Sequence, residues 1–444
     1  MTWSAWLTWS GVKTATSVSH GSREYWLENW AFVFLSGPKV GAFADVAASL
    51  KMSTRYIMTN FAYGFGPFLR TTELALATCD ILSKGTGETF GVIVPWVYGE
   101  SQKQILLEEF GDVLKEHPGA IVLDKRVGAE LELIFYGEKG YAESLKYYHN
   151  YHERVTDDIN NYIAKGIITE TFDGEPISIE RSAISLCISR APRVYFDIEP
   201  SYYTSFGYVS EILERSLEIP EIAPERELCN ALIPLSIDVE KRHRLHFIAD
   251  PATFSYLGER PPRYGSEVLT PPNAFPPKEA DCSGIELGIF VSITGIPGLQ
   301  RLFQEAHQLG FRFYSNKPQF IPGAVRALPR TLRCKNISLH FARAGWGSIW
   351  YSQFTGVPLV VPKHDPHDDP EIYFNNICIE QLGIGKVYAG QPLADLLAFS
   401  DTYKAAADRQ NRRIETTYGT INGIAYTAER IAMDYLGSLF RPSH

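Results

Sequence analysis

The sequence lacks the signals of several large functional classes. Its 444 residues contain no run of about 18 apolar side chains, so we expect no transmembrane helix. A P-loop is missing, because Lys84-Gly85-Thr86-Gly87 does not match the pattern GxxxxGK(S/T). The net charge of −9 argues against a protein that holds nucleic acid through phosphate contacts. A peripheral contact with a membrane surface through a local basic patch stays open.

Paired cysteines are also missing from the pattern. The six cysteines are scattered singly, and neither a CxxC pair nor a Cys/His cluster suggests a zinc site. Unpaired thiols in a reducing cytosol are the simplest interpretation, and we expect a cytoplasmic protein. The six are Cys79, Cys187, Cys229, Cys282, Cys334 and Cys378.

The first 51 residues differ in composition from the rest. Five of the 8 tryptophans lie there without a sustained helical or strand period. The short apolar run 30–35 follows acidic residues, which makes it a poor signal peptide. We expect residues 1–51 to be a poorly ordered extension and Met52 to begin the functional part. A tryptophan-rich anchor for a membrane or a partner is the alternative.

From Met52 onward, short apolar runs alternate with helical stretches, which is typical of α/β units with a parallel sheet. Prolines are concentrated between residues 261 and 277, where they stiffen an extended chain and mark a domain boundary. We therefore expect an α/β protein with two Rossmann-like domains facing a cleft, at 52–265 and 279–444, joined by a linker at 266–278. Strands are expected at 56–62, 90–98, 120–123, 184–189, 193–198, 288–292, 311–315, 337–341 and 357–361.

The most informative stretch runs from residue 337 to 388, and its pattern is strand, glycine turn, helix, strand, polar loop, helix. Gly345 and Gly347 allow the backbone to approach a ligand closely. The helix that starts there directs free N–H groups into the crevice at the carboxyl end of the strand, which suits a diphosphate. Asp369 can cap the next helix, and Glu371 lies in its first turn.

The order of these motifs resembles the donor half of GT-B glycosyltransferases, especially UDP-glycosyltransferases and lipid-linked N-acetylglucosaminyltransferases. The loop at 294–298 is similar to the one that opens the family's donor domain. The motifs that carry the resemblance are Gly345-Trp346-Gly347-Ser348, Gly356-Val357-Pro358-Leu359-Val360-Val361-Pro362, Asp369-Pro370-Glu371-Ile372-Tyr373-Phe374-Asn375-Asn376 and Leu382-Gly383-Ile384-Gly385.

The resemblance implies a function and a set of site residues. A sugar would move from a nucleotide diphosphate, with UDP the expected nucleotide, to a hydroxyl group of a small or lipid-linked acceptor. Residues 52–265 would bind the acceptor and 279–444 the nucleotide-sugar, with the C-terminal helices crossing back to the first domain. No cofactor or metal is implied. The residues that line the diphosphate would be Gly345, Trp346, Gly347 and Ser348. Asp369 and Glu371 would bind the sugar, and Asn375 would brace the loop. Backbone groups at 333–335 would face the base of the nucleotide.

Two positions depart from the family pattern. Tyr351 stands where the family often has a carboxylate for the ribose, and Pro67 stands where inverting members carry the histidine that is the general base. Proline accepts no proton, so another base, a retaining mechanism or a non-catalytic protein each stay open. The weak candidates for the base are Asp197 and Glu199, expected at the end of strand 193–198, and His364 in the donor loop.

Two other functions remain as alternatives to sugar transfer. One is a nucleotide-sugar 2-epimerase on the same fold, and the other is a non-catalytic protein that binds a nucleotide-sugar or a partner. A metal site at His364 and His367 is conceivable, but a solvated polar loop is the commoner arrangement. The fold does not decide among these functions.

Overall fold

The computed structural model describes residues 54–135, 140–222, 225–258, 260–292 and 300–439. The expected N-terminal extension at 1–51 and the glycine loop at 294–298 lie outside the described residues. No helix of the described part of the chain is both long and apolar enough to cross a membrane.

The first domain is built on a sheet whose strand order is β5-β4-β3-β2-β1-β6-β7-β8-β9. Its pairs are parallel apart from β3 with β4 and β4 with β5. Central strands β2 and β6 are buried along their whole length, because helices cover both faces of the sheet. The strands are β1 (Arg55–Phe61), β2 (Phe90–Pro95), β3 (Ile121–Asp124), β4 (Ile167–Glu170), β5 (Pro176–Ile179), β6 (Ile184–Arg190), β7 (Ser201–Ser205), β8 (Leu245–Ala249) and β9 (Glu267–Thr270).

In the described part of the first domain, six α-helices connect the strands. They are α1 (Phe65–Thr86), α2 (Gly99–Glu116), α3 (Lys125–Ile134), α4 (Tyr141–Ala164), α5 (Val209–Ser216) and α6 (Arg226–Lys241). The crossover from β1 begins at Gly64, whose φ of 122° is open to glycine but strained for other residues. The expected order of strand, glycine turn and helix is thus confirmed at this position.

The second domain has a parallel sheet in the order β12-β11-β10-β13-β14-β15. Its strands are β10 (Gly288–Val291), β11 (Arg312–Ser315), β12 (Val325–Arg326), β13 (Ile337–Phe341), β14 (Leu359–Pro362) and β15 (Lys386–Tyr388). Its helices are α7 (Gln300–Gln308), α8 (Trp346–Thr355), α9 (Pro370–Leu382), α10 (Leu393–Ala398) and α11 (Ser400–Tyr418). Two α/β domains with largely parallel sheets confirm the expected fold class.

The last helix, α12 (Gly423–Leu439), returns to the first domain and packs on α1. Ile424, Ala428 and Ile431 are fully buried in the core of that domain. Their spacing of four and three residues places them on one helical face. The chain therefore crosses back, as the resemblance implied.

Two sequence-based boundaries need correction. Strand β9 pairs with β8, so the first sheet continues to Thr270, although the linker was expected from residue 266. Prolines on both sides of this short strand hid it. The expected strand at 193–198 is a loop, because Asn160 of α4 bonds the backbone of Tyr195 and Asp197 in place of a neighbouring strand. Burial beneath α4 explains why this loop is apolar.

The expectation of unpaired cysteines is wrong for two of them. Cys282 and Cys334 form a disulfide with a Cα–Cα distance of 5.5 Å, although 52 positions separate them in the sequence. Cys282 lies just after the linker and Cys334 just before β13, and the fold of the second domain brings these two segments together. The other four cysteines are free and buried.

Candidate active site

The start of helix α8 lies at the carboxyl edge of the second sheet, directly after β13. Ser348 and Ile349 donate their backbone N–H groups to the carbonyl oxygen of Gly345, so the first turn leaves those of Trp346 and Gly347 for a ligand. A Cβ atom added to Gly345 or Gly347 would meet no atom within 4 Å. The predicted start of the helix is confirmed, and its surroundings have room for a ligand.

The side chain of Trp346 does not line this open space. It is 1% exposed, and its indole nitrogen donates to Thr253 Oγ1 at 3.1 Å and to Asn375 Oδ1 at 2.9 Å. Trp350, one turn later, donates to the carbonyl oxygen of Pro251 at 3.1 Å. Both rings fasten α8 to the loop after β8, so a diphosphate can meet Trp346 through its backbone alone.

The two residues predicted to bind the sugar, Asp369 and Glu371, lie together at the start of α9. Asp369 caps the helix by accepting the Glu371 N–H at 2.9 Å. Asn375 donates to Glu371 Oε1 and to the Ala344 carbonyl oxygen, both at 2.8 Å. Asn375 thus braces the loop before α8, as predicted, and also fixes Glu371 beside it.

Burial changes the protonation of this pair. It raises the pKa of Asp369, and burial together with the charge of Asp369 raises the pKa of Glu371. A carboxyl that carries a proton both donates and accepts hydrogen bonds, which matches the two roles of a sugar hydroxyl. The arrangement can therefore offer a ligand both a hydrogen-bond donor and acceptors.

Tyr351, at the position where the resemblance implies a carboxylate for the ribose, contacts the other domain. The guanidinium of Arg70 on α1 lies 5.5 Å from the ring centre of Tyr351 on α8 and pairs with Glu73. Tyr351 therefore forms a cation–π contact that joins the two domains. Instead of a carboxylate, this position carries an aromatic ring that packs against an arginine already paired with Glu73.

Arg190 ends strand β6 at the carboxyl edge of the first sheet, and its side chain is 3% exposed. The next residue, Ala191, has a φ of 44°, which is a strained value for a residue with a Cβ. Sequence reasoning missed this arginine. Its signal was a lone charge directly after the apolar run 184–189, where a buried strand meets the cleft.

The whole chain is similar in fold to several solved structures. CalG4, the calicheamicin glycosyltransferase, is 14% identical with a TM-score of 0.52 and covers 88% of this chain and 100% of its own. LpCGTa in complex with UDP is 13% identical with a TM-score of 0.53 and covers 87% of this chain and 100% of its own. A UDP-glucosyltransferase from Polygonum tinctorium that is capable of glucosylating indoxyl is 12% identical with a TM-score of 0.52 and covers 87% of this chain and 100% of its own. The chain has the GT-B fold. Its sequence matches no protein-family model and no curated protein sequence.

Within the GT-B frame, Asp197 and Glu199 do not reach the cleft. Both precede β7, which starts at Ser201, so they lie at the amino edge of a parallel sheet whose ligands bind at the other edge. Asp197 is exposed, and Glu199 accepts a hydrogen bond from the Tyr195 hydroxyl. The expectation that either faces the cleft is wrong, because the strand that was to deliver them is a loop.

His364 is the remaining candidate for a base, and it lies in the donor loop beside α9. Its Nε2 is 3.3 Å from the Asp369 carbonyl oxygen, and its ring packs on Tyr373. Burial lowers its pKa, which favours the neutral imidazole. Among the residues that the structure describes, no group of three or more His, Cys, Asp or Glu side chains is arranged to hold a metal ion.

Proposed function

We propose that this protein transfers a sugar from a nucleotide-diphosphate sugar, with UDP as the nucleotide, to a hydroxyl group of an acceptor. The observation that carries the proposal is that Asn375 joins the open start of α8 to the carboxyl pair Asp369–Glu371, bonding the Ala344 carbonyl oxygen on one side and Glu371 on the other. One side suits a diphosphate and the other a sugar.

In the proposed reaction the anomeric carbon loses its bond to the diphosphate oxygen and gains one to the acceptor oxygen. The free N–H groups and the positive dipole end of α8 stabilise the departing negative charge, so the proposal needs no metal. The acceptor proton goes to a base, for which we propose His364. If its Nε2 proton bonds the Asp369 carbonyl oxygen, Nδ1 is left to accept the proton.

The solved relatives support the choice of nucleotide and acceptor class. LpCGTa was crystallised with UDP, and the Polygonum tinctorium enzyme is a UDP-glucosyltransferase that acts on indoxyl, a small molecule. We propose UDP and a small hydroxyl acceptor on that basis. A lipid-linked acceptor, a membrane contact and a cytoplasmic location stay predictions from the sequence.

Binding of UDP, GDP, ADP and dTDP, measured by thermal shift and calorimetry, tests the donor site. We expect one diphosphate to bind and Gly347→Trp to abolish that binding by filling the open space at the start of α8. Gly119→Trp is the matched control, since a Cβ added to Gly119 would also meet no atom within 4 Å, but this residue precedes β3 at the opposite edge of the first sheet. Failure of all four diphosphates to bind would refute the donor site.

Turnover separates sugar transfer from its alternatives. We expect the UDP-sugar to be consumed with release of UDP when acceptors are supplied, and His364→Asn to lower kcat with little change in donor affinity. Interconversion of the donor without any acceptor would favour an epimerase. A donor that binds but is consumed by neither acceptor nor water would favour a non-catalytic protein.

A further inference from the structure

The guanidinium of Arg190 is buried without the partners that such a group requires. Its Nε and Nη1 atoms are buried and have no hydrogen-bond partner among the described residues. The guanidinium lies beside two aromatic rings, with ring centres at 5.5 Å for Phe206 and 6.0 Å for Trp350. A buried charge that is neither paired nor hydrogen-bonded is costly, so its retention points to a ligand.

The electrostatic surroundings of Arg190 do not supply that ligand. Burial, followed by the positive charge of Arg70, lowers the pKa of Arg190 to about 10, with Glu73 and Glu371 acting in the opposite direction. Glu73 is already bonded to Arg70, and Glu371 accepts from Asn375. The group remains a cation at neutral pH and is still short of acceptors.

The position of Arg190 places it across from the proposed donor crevice. Trp350 follows Gly347 by three residues on α8, which is about 4.5 Å of helix. The negative charge of Glu371, in the first turn of α9, also acts on the guanidinium. Arg190 therefore approaches, from the first domain, the same space that the starts of α8 and α9 approach from the second.

In the second domain, the basic residue next to that helix start is already paired. Arg343, the basic residue that precedes α8, is engaged by Asp368, with Nε 2.9 Å from Oδ2. The amide groups of α8 and a free guanidinium complement each other, because amides orient a phosphate and arginine supplies full charge in a forked geometry.

We propose that Arg190 is the contact of the first domain with the diphosphate of the bound nucleotide-sugar, its guanidinium donating to phosphate oxygens across the cleft from α8. This inference rests on the proposed function. The end of β6 thereby becomes part of the donor site. The two domains would bind the leaving diphosphate together, and sugar transfer would require the first domain to lie against the second.

The test measures anion binding and stability in the full chain. Inorganic pyrophosphate is expected to raise the Tm of the wild type and not that of Arg190→Met, and the Kd for UDP is expected to rise about 10- to 100-fold in that variant, the loss typical of a charged hydrogen bond. The ligand-free variant should melt no earlier than the wild type, because Nε and Nη1 lose no hydrogen bond to the described protein and the methionine side chain keeps apolar contact with the rings. If Arg190 were purely structural, Arg190→Met would lower the Tm of the ligand-free protein and leave both the pyrophosphate protection and the Kd for UDP unchanged.

Two further variants make the result decisive. Arg190→Lys keeps the charge without the fork and should retain part of the pyrophosphate protection even if Arg190→Met does not fold. Arg55→Met is the matched control, since Arg55 starts β1 at the opposite edge of the sheet and bonds Ser185 at 2.7 Å. Its protection by pyrophosphate should equal that of the wild type.

The outcomes separate this inference from the proposed function. Equal pyrophosphate protection and equal UDP affinity in wild type and Arg190→Met would overturn the role of Arg190 and leave sugar transfer intact. Protection by pyrophosphate that Arg190→Met loses, without binding of any nucleotide diphosphate, would support the anion site and refute the proposed donor. A wild type that responds to neither would overturn both.

Discussion

The indole nitrogen of Trp346 lies 2.9 Å from Oδ1 of Asn375 and donates to it. The amide nitrogen of the same Asn375 donates to the Ala344 carbonyl oxygen and to Glu371. One buried amide therefore fixes the distance between the helix proposed to hold the diphosphate and the carboxyl group proposed to hold the sugar. The residues of the proposed donor site thus act through each other.

Replacement of Asn375 by alanine should weaken both stability and donor binding. The change removes three hydrogen bonds in a buried site, so we expect a loss of about 2–3 kcal/mol in the free energy of unfolding. Asn376→Ala is the matched control, because this neighbour is also buried but donates to Pro362 alone among the described bonds. Urea unfolding of both variants checks the prediction, and equal losses would contradict it.

Donor binding should depend on pH through Glu371. Burial and Asp369 raise the pKa of this side chain, so it gains negative charge within the neutral range as the pH rises. A diphosphate beside it is then repelled, and we expect UDP affinity to fall with rising pH. Calorimetry across the neutral range should show this slope in the wild type and in Glu429→Gln, an exposed control. A slope that persists in Glu371→Gln would rule out this origin.

Acid should destabilise the protein through His340 on strand β13. Its Nε2 is hydrogen-bonded with the Ser292 hydroxyl and its Nδ1 with the Ser352 hydroxyl. Burial lowers its pKa to about 3, whereas the unfolded chain binds the proton at an ordinary pKa of about 6.5. Its contribution to stability is complete above the unfolded pKa and is lost as the pH falls toward the folded one, by up to about 1.4 kcal/mol per pH unit.

The variant His340→Gln should flatten this pH dependence, and His149→Gln, at an exposed position on α4, should not. Unfolding free energies from urea titrations at several pH values measure both. His243 is also buried, and its pKa is also lowered to about 3, so part of the acid sensitivity should survive in His340→Gln. An unchanged slope in that variant would disprove the assignment.

The return of α12 to the first domain should carry much of that domain's stability. Ile431 is fully buried in the first core, and Met433 on the same helix is 55% exposed. We expect Ile431→Ala to cost about 2–5 kcal/mol and Met433→Ala less than about 0.5 kcal/mol. Thermal and urea unfolding check the pair. Similar small effects of both would show that α12 is not part of that core.

The segment from β13 to α9 was readable from sequence because its signals are local. Glycines at 345 and 347, a strand before them and Asp369 before Pro370 each specify backbone geometry within a few residues. The loop 193–198 shows the limit of such signals. Its apolar residues are buried by α4 rather than by strand neighbours, and a single sequence does not distinguish the two kinds of burial.

The sequence alone determined the alternation of strands and helices, the division into two α/β halves and the helix starts that face the cleft, since hydrogen-bonding periodicity and glycine conformation act over short spans. Tertiary structure decided which distant groups meet. The indole of Trp346 reaches Thr253 across 93 positions, Cys282 joins Cys334, and Arg190 comes to lie against α8. The first and third of these contacts depend on how the two domains pack and the second on how one domain folds, and packing is a property of the whole chain.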